Sequence, residues 1–193
     1  MRENKELIRK LIHMGTILLP MLLKRLGPYH GKIFLALLVF VAVITEFLRL
    51  ETEWFGRIFN MFFGGMLKNK EVSNLTGATA YIVAALLSSM LFNWEVVITS
   101  LFFLSLGDPM ASIVGRKWGK HRLMGSKSVE GTIAFLAVAI LVACFYRSLP
   151  MLVRLSGAVS AALIESIETP IDDNITVLLG SGAIMQILLL IHP

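Results

Sequence analysis

The chain has 193 residues, of which 56% are hydrophobic and only 16% charged, and its mean hydropathy is +0.76. Soluble domains carry roughly 45–50% apolar residues, so this composition excludes a water-soluble globular domain, a disordered chain and a collagenous one. The +5 formal charge is read as membrane orientation rather than nucleic-acid binding, because basic loops are retained on the cytoplasmic side.

Apolar runs poor in charge cover residues 8–26, 31–49, 76–92, 95–114, 131–148, 150–168 and 174–191. A bilayer crossing takes about 20 such residues. The expected fold is therefore an all-α integral membrane protein, a single domain over 1–193 with about seven transmembrane helices. The first run carries Arg9, Lys10 and His13 at its start and Pro20 inside, which predicts a tilted, kinked or re-entrant segment. Lys24 and Arg25 end it with no small-residue cleavage pattern beyond, which argues against a signal peptide.

Between the second and third runs, Trp54 to Lys70 places Phe55, Ile58, Phe59, Phe62, Phe63 and Met66 at mostly helical spacing. The stretch is too short to cross and is flanked by Arg57, Lys68 and Lys70, so it reads as an amphipathic helix lying in the interface. Only Asn93 and Trp94 separate the third and fourth runs, a tight hairpin, and Pro150 opens the sixth. With seven crossings, thirteen Lys and Arg fall on the face that holds the N-terminus and five on the other. That bias puts the N-terminus in the cytoplasm. Cys144 stands alone, so neither an intrachain disulfide nor a cysteine metal cluster is expected.

The densest polar cluster runs from Gly107 to Gly131. Asp108 ends the fourth run, and Arg116, Lys117, Lys120, Arg122 and Lys127 follow among Gly115, Gly119 and Gly125. Glycines let backbone approach phosphate oxygens, and the cations neutralise them. A carboxylate at the edge of such a cluster suits a Mg²⁺ ion bridging phosphates. The other reading is a basic loop that only sets topology. The segment is not a P-loop, because Ser126 intervenes between Gly125 and Lys127 and no strand precedes it. A second, acidic group lies on the same face: Glu165 in an apolar run, then Glu168, Asp172, Asp173 and Asn174. An ionisable residue within an apolar run is a functional candidate by default. Asp108 with Glu165 or Asp173 offers hard oxygen ligands for a divalent cation, or these acids pair with Arg116 or Lys127 across the bundle. Thr76 reads as a helix N-cap.

Asp108, Ala111, Gly115, Gly119, Lys127, Ser128, Glu130 and Gly131 resemble the nucleotide-binding signature of the CTP-dependent lipid kinases. That family comprises dolichol/polyprenol, phytol and CTP-dependent diacylglycerol kinases and is related to phosphatidate cytidylyltransferases. Arg9-Lys10 with His13, Thr76-Gly77-Ala78-Thr79, and Glu165 with Asp172-Asp173-Asn174 fit in the same order. The resemblance implies transfer of the CTP γ-phosphate to a membrane lipid alcohol, here a polyprenol or dolichol-type acceptor, with a divalent cation required. Its implied metal ligands are Asp108, Glu165 and Asp173, with Asp108, Glu165 and Lys127 catalytic. Its implied nucleotide contacts are Ala111, Gly115, Arg116, Lys117, Gly119, Lys120, Ser128, Gly131, Arg9, Lys10, Thr76, Gly77 and Asn174. Glu130 is assigned to the same group and expected to orient Lys127 or a metal-bound water. The lipid would come from the bilayer and CTP from the cytosol, with no nucleic-acid partner. A cytidylyltransferase, or a small transporter with buried acids as an ion path, are the rival readings.

Overall fold

The computed structural model describes residues 13–67, 71–72 and 74–191. Its helices are α1 Leu18–Glu51, α2 Glu53–Phe63, α3 Gly77–Leu91, α4 Trp94–Trp118, α5 Val129–Phe145, α6 Met151–Glu165 and α7 Asp173–Ile191, with no strand among the described residues. His13–Glu51, Trp94–Trp118 and Asp173–Ile191 are long and apolar enough to cross a bilayer, while Gly77–Leu91 and Val129–Phe145 are apolar but shorter. A 15-residue helix rises only about 22 Å, against a hydrocarbon core of about 30 Å. Helix length therefore supports three crossings, where the apolar runs suggested seven.

The first two apolar runs form one interrupted helix. Within α1, Gly27 has φ 70° and ψ 177°, a region open to glycine and closed to side chains with a Cβ. Pro28 follows, its fixed φ suited to the first turn of a new helix. The chain folds back here: a Cβ on Gly31 would lie 3.5 Å from Leu23 Cδ2, whereas eight residues of straight helix span about 12 Å. The N-terminal arm, residues 18–26, runs along α4, with Thr16 Oγ1 3.1 Å from Ser105 Oγ and Lys24 Nζ 4.0 Å from Glu95 at the far end. The bend thus falls at Gly27 rather than at Pro20, which lies in the first turn of α1 and costs little there.

The C-terminal arm, residues 28–51, returns to the first end. Its buried Glu46 accepts from Thr76 N at 2.8 Å and Thr79 Oγ1 at 2.9 Å. Arg49 donates to Glu46 and to the carbonyls of Glu71, Val72 and Asn74. The loop before α3 is therefore fixed to α1. The interfacial helix is shorter than expected: α2 closes at Phe63, and Gly64–Met66 makes a 3₁₀ turn, since glycine favours helix least after proline. The outer face of α2 exposes Trp54, Ile58, Met61 and Phe62, while Arg49 stacks over the Phe59 ring at 5.5 Å.

Small residues bring α3 to α7 close together, as is common where lipid gives no hydrophobic drive to association. Phe135 lies against Gly107, 2.7 Å from where a Cβ would be, and Met185 fills the equivalent space at Gly157. Gly27→Ala tests the reversal. Forcing a Cβ into this region costs about 1–3 kcal/mol, read as an earlier unfolding midpoint of the detergent-solubilised protein. An unchanged midpoint would show that the bend does not depend on this conformation.

Candidate active site

Three helices begin at the end of the bundle to which Thr76 belongs. Thr76 caps α3 by accepting from Thr79 N at 3.3 Å, as its sequence position suggested. Ser128 caps α5 by accepting from Gly131 N at 3.2 Å. At the start of α7, Asp172 accepts from Asn174 N through its side chain at 3.0 Å and from Ile175 N through its backbone carbonyl at 2.9 Å. Helix α4 reaches this end with Asp108 and α6 with Glu165, its last residue. Pro109, next to Asp108, cannot donate to the Ser105 carbonyl one turn back, so the turn bearing this acid is loosened.

Asp108, Glu165 and Asp173, from three different helices, each place a carboxylate oxygen within 4.8 Å of the other two. The Lys127 ammonium stands beside them, donating to Glu165 Oε1 at 2.6 Å and Asp173 Oδ2 at 2.8 Å. Burial alone would lower the Lys127 pKa, but the charges of Glu165 and Asp173 outweigh it and hold the group above its ordinary value. It stays a cation at neutral pH. His13 Nε2 lies 3.7 Å from Asp108 Oδ2. Of the two readings of the acids, cation ligands or ion-pair partners, the geometry contains both: the carboxylates converge, and Lys127 pairs with two of them.

The loop that delivers Lys127 is tied at several points. Gly119 N donates to Gly115 O and Val129 N to His121 O. A tight turn follows, with Lys127 N donating to Met124 O at 2.9 Å and Gly125 at φ 54°. The Glu168 carboxylate occupies the space that a Cβ on Gly125 would need, and it accepts from Ser126 N at 3.1 Å. Glu130 binds His121, with Oε1 2.8 Å from Nδ1. Glu130 was expected to orient Lys127 or a metal-bound water; its carboxylate meets His121 and braces the beginning of the loop.

The remaining expected site residues separate into groups. A Cβ on Gly115 or Gly119 would meet Ser128 Oγ at 2.8 Å, and one on Gly131 would meet the Ala111 carbonyl at 2.8 Å. These glycines thus have a reason within the protein, the close contact of α4 with the capped start of α5. Arg116 is exposed and bonds to Ser112. Lys117 lies over its neighbour Trp118, and Lys120 is exposed. Asn174 Nδ2 donates to Gly77 O at 3.1 Å and Asp172 Oδ1 at 2.7 Å, joining the starts of α3 and α7. Arg9 and Lys10 lie outside the described residues. Sequence reading passed over Glu71, whose carboxylate accepts from Gly77 N at 3.1 Å, and the brace role of Glu168.

The converging acids and Lys127 open on a cavity of about 1070 Å³. Its polar lobe holds Asp108, Lys127, Glu165 and Asp173 together with Arg116, Arg122, Ser128, Thr76, Gly77 and Asn174. Its other lobe is apolar, walled by both arms of α1 and by α2. Lys117, Lys120, Gly119 and Glu130 do not line it. Glu168→Ala removes the acceptor for Ser126 N, and exposed loops are the preferred sites of proteolytic nicking. Limited trypsin digestion should then cut after Arg122 several-fold faster than in the parent protein. An equal cleavage rate would show that Glu168 does not hold the loop.

Comparison with known proteins gives the chemistry a context. The CTP-dependent diacylglycerol kinase 1 of Saccharomyces cerevisiae is 27% identical over a stretch covering 70% of this chain and 48% of that protein. The Schizosaccharomyces pombe enzyme of the same name is 25% identical, covering 76% and 69%. A chloroplastic farnesol kinase of Arabidopsis thaliana is 29% identical, covering 93% and 64%. The chain therefore spans about half the length of the budding-yeast relative. No family model matches, and no solved structure does. These three relatives are named as lipid kinases, two of them CTP-dependent, which matches the family that the signature residues resemble.

Proposed function

We propose that the chain is a membrane kinase that transfers the γ-phosphate of CTP to the hydroxyl of a lipid alcohol. One observation carries this reading: carboxylates from α4, α6 and α7 converge with Lys127 in the polar lobe of a cavity whose other lobe is hydrocarbon-like. Phosphoryl transfer asks little of a protein beyond positioning and charge neutralisation, and a two-lobed cavity offers a place for each reactant. Identity to CTP-dependent relatives supports CTP as donor.

The carboxylates of Asp108, Glu165 and Asp173 fit a divalent cation, since all three offer hard oxygens within 4.8 Å of one another. Mg²⁺ held there by the three acids would supply positive charge to the donor phosphates. The rest falls to the chain. The N-termini of α3 and α5, at Thr76-Gly77 and Ser128, turn their positive dipole ends toward the triphosphate, while Thr76 N, Gly77 N, Val129 N and Gly131 N are engaged by Glu46, Glu71, His121 and Ser128. Lys127 and Arg116 add positive charge around it. The acceptor oxygen attacks the γ-phosphorus in line, the bond from that phosphorus to the β-phosphate oxygen breaks, and CDP leaves. Asp108, in contact with the cavity, takes the hydroxyl proton.

The acceptor is an isoprenoid alcohol in this reading. The farnesol kinase match extends over more of the chain than the diacylglycerol kinase matches; the polyprenol or dolichol class expected from the sequence belongs to the same chemistry. Seven of the eight helical rods, counting α1 as two and leaving α2 in the interface, are seven crossings, the shorter ones in locally thinned bilayer. The basic loops put the N-terminus and the polar lobe in the cytosol.

Purified protein supplied with CTP, Mg²⁺ and a panel of farnesol, phytol, dolichol and diacylglycerol tests the reading directly. The γ-label of CTP should appear in the lipid. Label arriving from the α-phosphate would identify a cytidylyltransferase, and no labelled lipid with any alcohol would overturn the kinase reading. Asp108→Asn and Lys127→Ala should each lower kcat by about 100-fold or more while the protein still inserts. Chelation of divalent cations should abolish turnover, and Asp173→Asn should raise the Mg²⁺ concentration needed for half-maximal rate.

A further inference from the structure

We infer that the apolar lobe seats the hydrocarbon chain of the acceptor in the orientation it already has in its leaflet, entering sideways between the N-terminal arm of α1 and α2. The inference rests on the lipid-kinase reading for the identity of the chain, and on geometry for the seat. Leu18 and Leu22 of one α1 arm, Phe34 and Leu38 of the other, and Phe59 and Phe63 of α2 wall the lobe. None is charged, and the lobe is continuous with the carboxylates, so an alcohol oxygen held at Asp108 leaves its chain only this way to run.

The depth of the lobe fits one leaflet. Along the N-terminal arm, His13 lies beside Asp108, and Leu22 is nine residues further on, about 14 Å of helical rise. Along the returning arm, Glu46 is bonded to Thr76 at the mouth of the polar lobe, and Phe34 lies twelve residues before it, about 18 Å. Half a hydrocarbon core is about 15 Å. A chain of that length reaches the bottom of the lobe, and a longer one continues into lipid.

The lobe is open on its flank. Leu18 is 69% exposed, Leu22 40% and Phe63 50%, although all three also line the cavity. These residues are rim and wall at once, as at a mouth that faces acyl chains. Helix α2 roofs that mouth. Its outer residues Trp54, Ile58, Met61 and Phe62 are exposed to the interface, while its inner Phe59 is held over Arg49. The reacting hydroxyl therefore stays at headgroup height, and the enzyme need not lift its substrate from the bilayer.

Two variants narrow the lobe without touching the carboxylates. Leu38→Trp and Phe34→Trp, in full-length protein in nanodiscs, should raise KM for farnesol and phytol at least tenfold. KM for CTP should stay within twofold, as should the rate with a five-carbon alcohol too short to enter. Val41→Trp, on the exposed face of the same arm and outside the cavity lining, should leave all three unchanged. Equal KM for the long alcohols in folded Trp variants would overturn the seat, as would a parallel rise in KM for CTP. A farnesol carrying a diazirine near its tail reports the seat without turnover. Labelling of peptides with Leu22, Phe34 or Leu38, competed by farnesol and lost in Leu38→Trp, supports it. Labelling spread evenly over the lipid-facing helices and indifferent to Leu38→Trp overturns it. Competed labelling at these peptides in a protein that transfers no phosphate would support the seat and sink only the kinase reading.

Discussion

Carboxylates from separate helices that gather within 4.8 Å of one another need a cation or a shared proton to hold them, because like charges at that range repel and burial adds to the penalty. The ammonium of Lys127 between Glu165 and Asp173 is the interaction on which the functional end of this bundle depends. It explains why so short a loop is so heavily braced. Lys127 must arrive at a fixed height beside two helix ends, so the turn before it uses Gly125 at positive φ. Glu168 holds Ser126, and Ser128 caps the helix that follows. Three carboxylates against one ammonium leave an excess of negative charge, which suits the divalent cation proposed for this site.

The same end of the molecule gathers charges of opposite use, and helix polarity sorts them. Helix N-termini from α3, α5 and α7 point there, favouring anions. The acids come from the C-terminal half of α4, from the last residue of α6 and from the first of α7. Phosphate-friendly backbone and metal-friendly carboxylates therefore share one cavity mouth. The reversal at Gly27 completes the arrangement by setting both arms of α1 beside it, which gives the polar lobe its apolar continuation.

Much of this was legible in the sequence because apolar runs make charges conspicuous. Asp108, Glu165 and Asp173 stand out as acids at or near the ends of such runs, and the structure brings them together as the charge pattern suggested. Thr76 was recognisable as a cap from its place before a helix. Other parts depend on contacts between residues far apart in the chain. Glu168 and Ser126 are 42 residues apart, and nothing in either neighbourhood announces the other. His13 belonged to the family resemblance, but its place beside Asp108 follows from the packing of α1 on α4, which its own neighbourhood does not announce. The interfacial helix was drawn too long because its aromatic spacing continues to Met66, although Gly64-Gly65 already marks its end. The glycines of the 107–131 stretch were read as room for phosphate, and local sequence cannot distinguish that from room for Ser128 and the Ala111 carbonyl.

A charged residue in an apolar run is a functional candidate by default, and this protein shows how to divide such candidates. Glu46 is as buried as Glu165, at 4% exposure each, yet its oxygens accept from Arg49, Thr76 N and Thr79. Both oxygens have protein donors, so the group joins α1 to the start of α3. Glu95 is engaged in a similar way at the opposite end, by Tyr146 at 2.7 Å and by Lys24 at 4.0 Å. Glu165 differs in kind: its bonded partner is the Lys127 side chain, which it shares with Asp173, and it lines a cavity large enough for reactants. Glu46 and Glu95 do not line that cavity. An acid that meets other carboxylates and a lysine at a cavity wall has room to take a second cation, and this position, rather than burial or charge alone, separates scaffold acids from the acids of the proposed site.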